Sequence, residues 1–319
     1  MKIVLINSHG PMGASVVSSI IEHLGFLNIP VRKLGLFDYL RNKLPRNSNY
    51  MIRRFEKLAK KHSSSFKIGG VNVLDRNSSD FNQFIEKESI FEKLNALKKK
   101  QVKNPIELYE KLRCSYNNSL LYKNVNNNFT GHIEMTTKIH HHDPIKLYKL
   151  LKENFSEFYV INIRRDFTSW LNSLFSQWHL NKKNKKGLRL VNIKKLYKDY
   201  HNYNNFLNNF PGLEINFDDI FLPNTENTIK KIVKYFGKKN DLNWKDLKYD
   251  LYGKIVNYDK TFTKRDDKIN YLTKKTKKLI SESQTSNFKN TISLFFIYYN
   301  YIYSWITLKY RIKKIKYKN

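Results

Sequence analysis

Lys2-Ile3-Val4-Leu5-Ile6-Asn7-Ser8-His9-Gly10-Pro11-Met12-Gly13-Ala14-Ser15 opens the chain, and its reading decides the fold. Ile3–Ile6 are apolar without alternation, the pattern of a strand covered on both faces in a parallel sheet. A short polar loop with Gly10 and Gly13 follows. Within Ala14–Leu27, Val16, Val17, Ile20, Ile21 and Leu24 then recur at helical spacing, with Gly25 near the stop. The opening unit is therefore strand, glycine loop, helix. In parallel α/β sheets ligands sit at the C-terminal ends of the strands, which is where this loop falls. Its glycines let the backbone turn sharply, and the helix behind it presents unpaired N–H groups at its positive end. Gly10, Met12, Gly13, Ala14 and Ser15 are thus a candidate phosphate cradle, to which Ser15 adds a hydroxyl. Glycines kept only for packing are the equally open alternative. The Lys that precedes Ser or Thr in nucleoside-triphosphate loops is missing, which argues against magnesium–ATP.

The 319 residues hold 59 Lys and Arg against 27 Asp and Glu, a formal charge of +32. With 40% hydrophobic and 14% aromatic residues the chain can bury a real core, which excludes a wholly disordered basic tail. The single Cys114 excludes a disulfide scaffold and a cysteine-rich zinc module, and suits a reducing compartment. The charge points to an anionic partner: a nucleotide, a polyanion or an acidic membrane face. Nucleic acid matches the charge but finds no recognised motif here. Only four apolar residues lie near the N-terminus, fewer than the ~7–15 of a secretory signal, so the expected location is cytoplasmic.

Further along, helices are expected over Ser79–Lys100 and Pro105–Tyr122, and a strand over Phe129–Met135. Asp143-Pro144 has the N-cap and first-turn chemistry of a helix start, and that helix runs to about Asn154. Phe158–Ile163 is a second clear strand, followed by a helix over Thr168–His179 with Trp170 and Trp178 turned to the core. A helix over Ile193–Asn209, a strand over Leu213–Phe217 and a helix over Thr225–Phe236 complete the pattern. Asp218-Asp219 read as capping acids for the last of these. Alternating strands and helices predict an α/β fold with a parallel central sheet flanked by helices, carrying helical insertions. The expected organisation is an α/β nucleotide-binding domain over 1–240 with an insertion at 41–127, of which 41–78 reads as an excursion or lid. An extension over 241–289 would shape the acceptor side, and 290–319 would form an aromatic, basic C-terminal helix. Residues 290–308 carry no charge, and core packing, an interfacial membrane anchor and a span are all open readings of them.

Three separated motifs in order resemble the sulfotransferase family. They are the opening strand–loop–helix, Phe158 to Trp178, and Leu213–Ile220 before a helix ending Tyr235-Phe236-Gly237. The likeness covers residues 1–27 and about 130–237. It implies the nucleotide-loop sulfotransferase architecture, with 3′-phosphoadenosine 5′-phosphosulfate as donor. In that family an Arg-Asp-Pro strand end and a Ser eight positions later hold the donor's 3′-phosphate, a spacing kept by Arg165 and Ser173. The chain departs from the pattern at Pro11 and Met12, where the family carries a basic residue and Ser, and at Phe167, where it carries Pro.

The resemblance also implies a base that takes the proton of an acceptor hydroxyl, a role that suits histidine. Lys138-Ile139-His140-His141-His142-Asp143-Pro144 lies where the family has Lys-Thr-His-Leu-Pro. His142 is favoured by its distance to Arg165, His140 stays open, and Lys138 is the candidate replacement for the missing loop cation. No metal is expected, because no Cys or acidic residue stands at ligand spacing from the histidines. The implied reaction moves a sulfuryl group to a hydroxyl of a saccharide or glycolipid-type acceptor. A non-catalytic fold that binds polyanions and a small-molecule phosphotransferase are the competing readings.

Overall fold

The computed structural model describes residues 2–28, 51–53, 56, 67–68, 71–72, 87–100, 102, 104–117, 130–136, 139–180, 190–221, 223–238 and 291–293. Five strands form the central sheet: β1 (Lys2–Asn7), β2 (Phe26–Asn28), β3 (Gly131–Thr136), β4 (Glu157–Arg164) and β5 (Leu213–Asn216), in the order β2-β3-β1-β4-β5. Every pairing is parallel. The unbroken apolar run of β1 has its physical reason here. It is flanked by β3 and β4, and Ile3, Val4, Leu5 and Ile6 are all fully buried.

Among the described residues, helices include α1 (Ala14–Glu22), α2 (Lys87–Lys100), α3 (Pro105–Asn117), α4 (Pro144–Asn154), α5 (Phe167–Leu180), α6 (Ile193–Asn208) and α7 (Thr225–Tyr235). The α/β class with a parallel sheet flanked by helices is the one the alternating pattern implies. Asp143 caps α4 as its sequence position predicts, with Oδ1 accepting from Lys146 N at 3.0 Å and Pro144 in the first turn. The apolar faces of α5 and α7 enter the core through Trp170, Leu171 and Phe175, and through Ile229, Ile232 and Val233.

Several expectations are corrected. The first helix stops at Glu22 rather than Leu27, because Gly25 takes a left-handed φ of 88° and turns Phe26–Asn28 back as a strand beside β3. Asp218 and Asp219 do not cap α7, whose N-cap is Asn224. They belong to a 3-10 turn, Phe217–Ile220, and the Asp219 carbonyl accepts from Thr228 Oγ1 at 2.5 Å. Thr291–Ser293 is a strand, antiparallel to Leu190–Asn192, and not the first turn of a C-terminal helix. Backbone pairing there overrides the apolar pattern. The excursion at 41–78 includes core residues, since Met51 and Ile52 are buried. Apart from 51–53, 56, 67–68 and 71–72, the stretch 41–78 lies outside the described residues, as do 79–86 and 118–129, the 241–289 extension and 294–319. Among the described residues no helix is long and apolar enough to cross a membrane.

Candidate functional site

Parallel register gathers the site. Asn7 of β1 is aligned with Thr136 of β3 and Asn162 of β4, so the segments that follow these residues leave the sheet on one edge. Those segments are the glycine loop, the turn at Ile139–His141 and Arg165-Asp166. The three aligned side chains are themselves joined. Thr136 Oγ1 donates to Asn7 Oδ1 at 2.6 Å, Asn7 Nδ2 donates to Asn162 Oδ1 at 2.8 Å, and Asn162 Nδ2 donates to the Phe210 carbonyl at 2.9 Å. This buried polar ladder fixes the strand ends against one another.

The loop keeps its shape through backbone geometry. Gly13 stands as the N-cap of α1 with φ 79°, and a Cβ there would come within 3.0 Å of Ile220 Cδ1 and 3.3 Å of Phe217. Only glycine fits both the left-handed φ and the close approach. Met12 N donates to the Gly10 carbonyl at 2.9 Å, which tightens the turn, and the Met12 side chain is fully buried. The first turn of α1 leaves backbone N–H groups at the helix's positive end. The Ser15 backbone belongs to that turn, while its side chain lies outside the described residues.

Arg165 reaches the loop directly. Its Nη1 donates to the Pro11 carbonyl at 2.6 Å, and its guanidinium lies 3.7 Å over the Phe217 ring. Its Nε is buried with no partner among the described residues. Burial pulls the guanidinium down to about 10, against the opposing pull of Asp166 and Asp218. A cleft of about 420 Å³ opens beside it, lined by Arg164, Tyr200, Asn204, Asn216 and Asp219 among others. Arg164 itself is engaged, with Nη2 on Glu214 Oε1 at 2.6 Å and on Asn208 Oδ1 at 2.8 Å. Ser173 is half-buried on α5, three residues beyond Trp170, and no hydrogen bond joins it to Arg165 among the described residues.

The histidines separate. His140 lies in the 3-10 turn with its side chain 2% exposed, and its Nε2 is 2.9 Å from Asp199 Oδ1. His141 is exposed, 3.9 Å from the same oxygen. His142 is half-buried, its N–H closing the turn on the Ile139 carbonyl at 2.9 Å. Lys138 lies outside the described residues.

Two residues absent from the sequence-based site complete the cluster. His9, in the loop after β1, places Nε2 3.3 Å from Asp199 Oδ2 and stacks on Trp170 and Tyr203 with ring centroids 4.9 and 5.4 Å away. Trp170 Nε1 donates to the His9 carbonyl. Asp199 comes from α6, where the sequence shows only a tyrosine-rich amphipathic helix. Burial alone would raise its carboxyl. The His140 bond and the charges of His9, His140 and His141 outweigh that and hold it below its ordinary range. His9 could have been flagged, because it stands in the loop beside the glycines. Nothing along the chain pairs residue 199 with residues 9 and 140.

Fold and site together define a parallel α/β protein whose strand ends assemble a glycine turn, a half-buried arginine and a histidine–carboxylate cluster. No protein family and no curated protein matches the sequence. Among solved structures the chain is similar to a sulfotransferase domain from the curacin biosynthetic pathway. The identity is 10% and the TM-score 0.43, over 89% of this chain and 98% of that one.

Proposed function

We propose that the protein is a sulfotransferase that uses 3′-phosphoadenosine 5′-phosphosulfate and sulfates a hydroxyl of a saccharide or glycolipid-type acceptor. One observation carries the reading: a half-buried guanidinium is bonded to the glycine turn, with a buried and unpartnered Nε, at the C-terminal ends of the strands of a parallel sheet. A buried donor of this kind is stabilised by an anion, and an arginine suits phosphate. The motif resemblance supplies the identity of the anion.

In this scheme Arg165 and Ser173 hold the donor's 3′-phosphate. The backbone N–H groups of Gly10, Met12, Gly13, Ala14 and Ser15 face the 5′ side, where negative charge grows as the bond from sulfur to the phosphate oxygen breaks. Of these, Met12 N–H is already engaged within the turn, so the helix-end groups carry most of that load. Lys138 adds the cation that Pro11 and Met12 do not supply. The donor contributes the sulfuryl group, and the acceptor oxygen forms the new bond to sulfur while its proton passes to a base. His142 is the proposed base. His140, almost fully enclosed and bonded to Asp199, is the less accessible of the two histidines.

Calorimetry with 3′-phosphoadenosine 5′-phosphate on the full chain tests the nucleotide reading. Saturable binding is expected, weakened about tenfold or more in Arg165→Ala, as befits the loss of a charge-assisted hydrogen bond of about 1.5–3 kcal/mol. Arg165→Lys keeps the charge and loses the fork, so it should bind at an intermediate level. Affinity that tracks salt alone and ignores Arg165→Ala and Ser173→Ala would instead identify a polyanion binder.

A further inference from the structure

We propose that His9, His140 and Asp199 form a binding site for a divalent transition-metal ion of the zinc type. One ligand atom from each residue can be chosen so that all three lie within 4.8 Å of one another. Tetrahedral zinc, with bonds of ~2.0–2.2 Å to nitrogen and oxygen, sets neighbouring ligand atoms about 3.3 Å apart. His140 Nε2 stands 2.9 Å from Asp199 Oδ1 and His9 Nε2 3.3 Å from Oδ2, so each imidazole faces one oxygen of the same carboxylate, and a set with one ligand atom per residue spans no more than 4.8 Å. Small rotations of the Asp199 carboxylate, whose side chain is 42% exposed, would open the space an ion needs.

The ligands are held in place before any ion arrives. His9 is fixed by stacking on Trp170 and Tyr203, by the Trp170 bond to its carbonyl, and by its own N–H reaching Met12 Sδ at 3.3 Å. His140 is set by the 3-10 turn, whose Ile139 is fully buried, and meets the His9 ring edge-on at 5.0 Å. The three residues come from three elements that the sheet edge and α6 bring together. Two imidazoles and a carboxylate suit zinc, cobalt or nickel and not magnesium or calcium, which take all-oxygen shells. Three protein ligands leave a fourth position. The His141 ring, 4.4 Å from that of His140 and largely exposed, is near enough to fill it, and water is the other occupant. This site goes beyond the sulfuryl-transfer reading and does not depend on it.

Cobalt(II) reports the geometry through its visible d–d absorption. The full-length chain, stripped with chelator, is titrated with Co2+ alone. One equivalent should saturate an intense four-coordinate spectrum, and added Zn2+ should abolish it. Asp199→Asn, a conservative change at a partly exposed side chain, and His140→Ala should each weaken binding by about 100-fold or more. Even the loss of an outer-shell partner costs ~10–100-fold, so a ligand should cost at least as much. His201→Ala, an exposed histidine on the same helix as Asp199, should leave affinity unchanged. No saturable spectrum, or one whose affinity survives both Asp199→Asn and His140→Ala, overturns the site. The cluster is then a carboxylate hydrogen-bonded to His140 and in ion-pair range of His9.

Discussion

Tyr203 links the two halves of the site through one side chain. Its hydroxyl is shared between the carbonyls of Asn7, at 3.0 Å, and Ile163, at 2.8 Å, so it ties the ends of β1 and β4 together. Its ring, fully buried, is one of the two surfaces on which His9 stacks. Burial pushes the phenol far above its ordinary range, so the hydroxyl stays a donor at any physiological pH. Tyr203→Phe keeps the ring and removes the donor, leaving two buried carbonyls short of a partner. The expected loss is about 1–3 kcal/mol of unfolding free energy, read as a lower urea midpoint at unchanged slope. A variant as stable as the parent would show that the hydroxyl contributes nothing net. Arg165 stood out in the sequence as a strand-end cation at the family's spacing from Ser173, and the fold sets it against the Pro11 carbonyl of the glycine loop. Asp199 did not stand out, because its chemistry arises from a fold contact across 59 residues to His140 and 190 to His9.

Among the elements, the unit from β1 through the glycine loop to α1 does most to position the chemistry. The loop is short, so its path depends on Gly13 taking a left-handed conformation against Phe217 and Ile220. Gly13→Ala meets both obstacles, and a non-glycine residue in that region costs about 1–3 kcal/mol before any clash is counted. The variant should lower thermal stability and displace Phe217, on which Arg165 stacks. Nucleotide affinity should therefore fall with stability, and calorimetry beside thermal melts checks both. Regular elements were readable because their signals are local. Asp143-Pro144 announces α4, and the unbroken Ile3–Ile6 run announces a central strand. Phe26–Asn28 and Thr291–Ser293 were missed because three-residue strands carry too few positions to show a period. Pairing with a distant partner makes them strands, and pairing has no local signature.

Across the whole molecule, the far side of β3 carries a second buried polar group that couples folding to pH. His132 is fully buried. Glu110 Oε1 stands 3.9 Å from its Nε2, the Tyr109 ring packs edge-on against it, and Arg113 lies nearby on the same helix. Arg113 is itself committed, with Nη1 on Glu134 Oε2 at 3.0 Å. Burial depresses the His132 imidazole below its ordinary 6.5, and the Glu110 carboxylate only partly offsets this. Well above pH 6.5 His132 is neutral in both states and contributes little to the pH dependence. As pH falls below that value, the unfolded chain takes up a proton that the folded chain refuses. The unfolded state then binds more protons, so stability declines with acid until the lower folded value is reached. Glu110, held below its ordinary 4.5 chiefly by the neighbouring His132, adds a loss of the same sign only at lower pH. The sequence contains nine histidines, so the parent's slope is a sum over several groups. Its difference from His132→Gln isolates this one. Urea titrations at pH 7, 6 and 5 should give a stability gap, parent minus variant, that falls as the pH drops, whatever its sign and size at pH 7. A gap that stays constant over that range would mean that His132 accepts its proton in the folded protein as readily as in the unfolded chain.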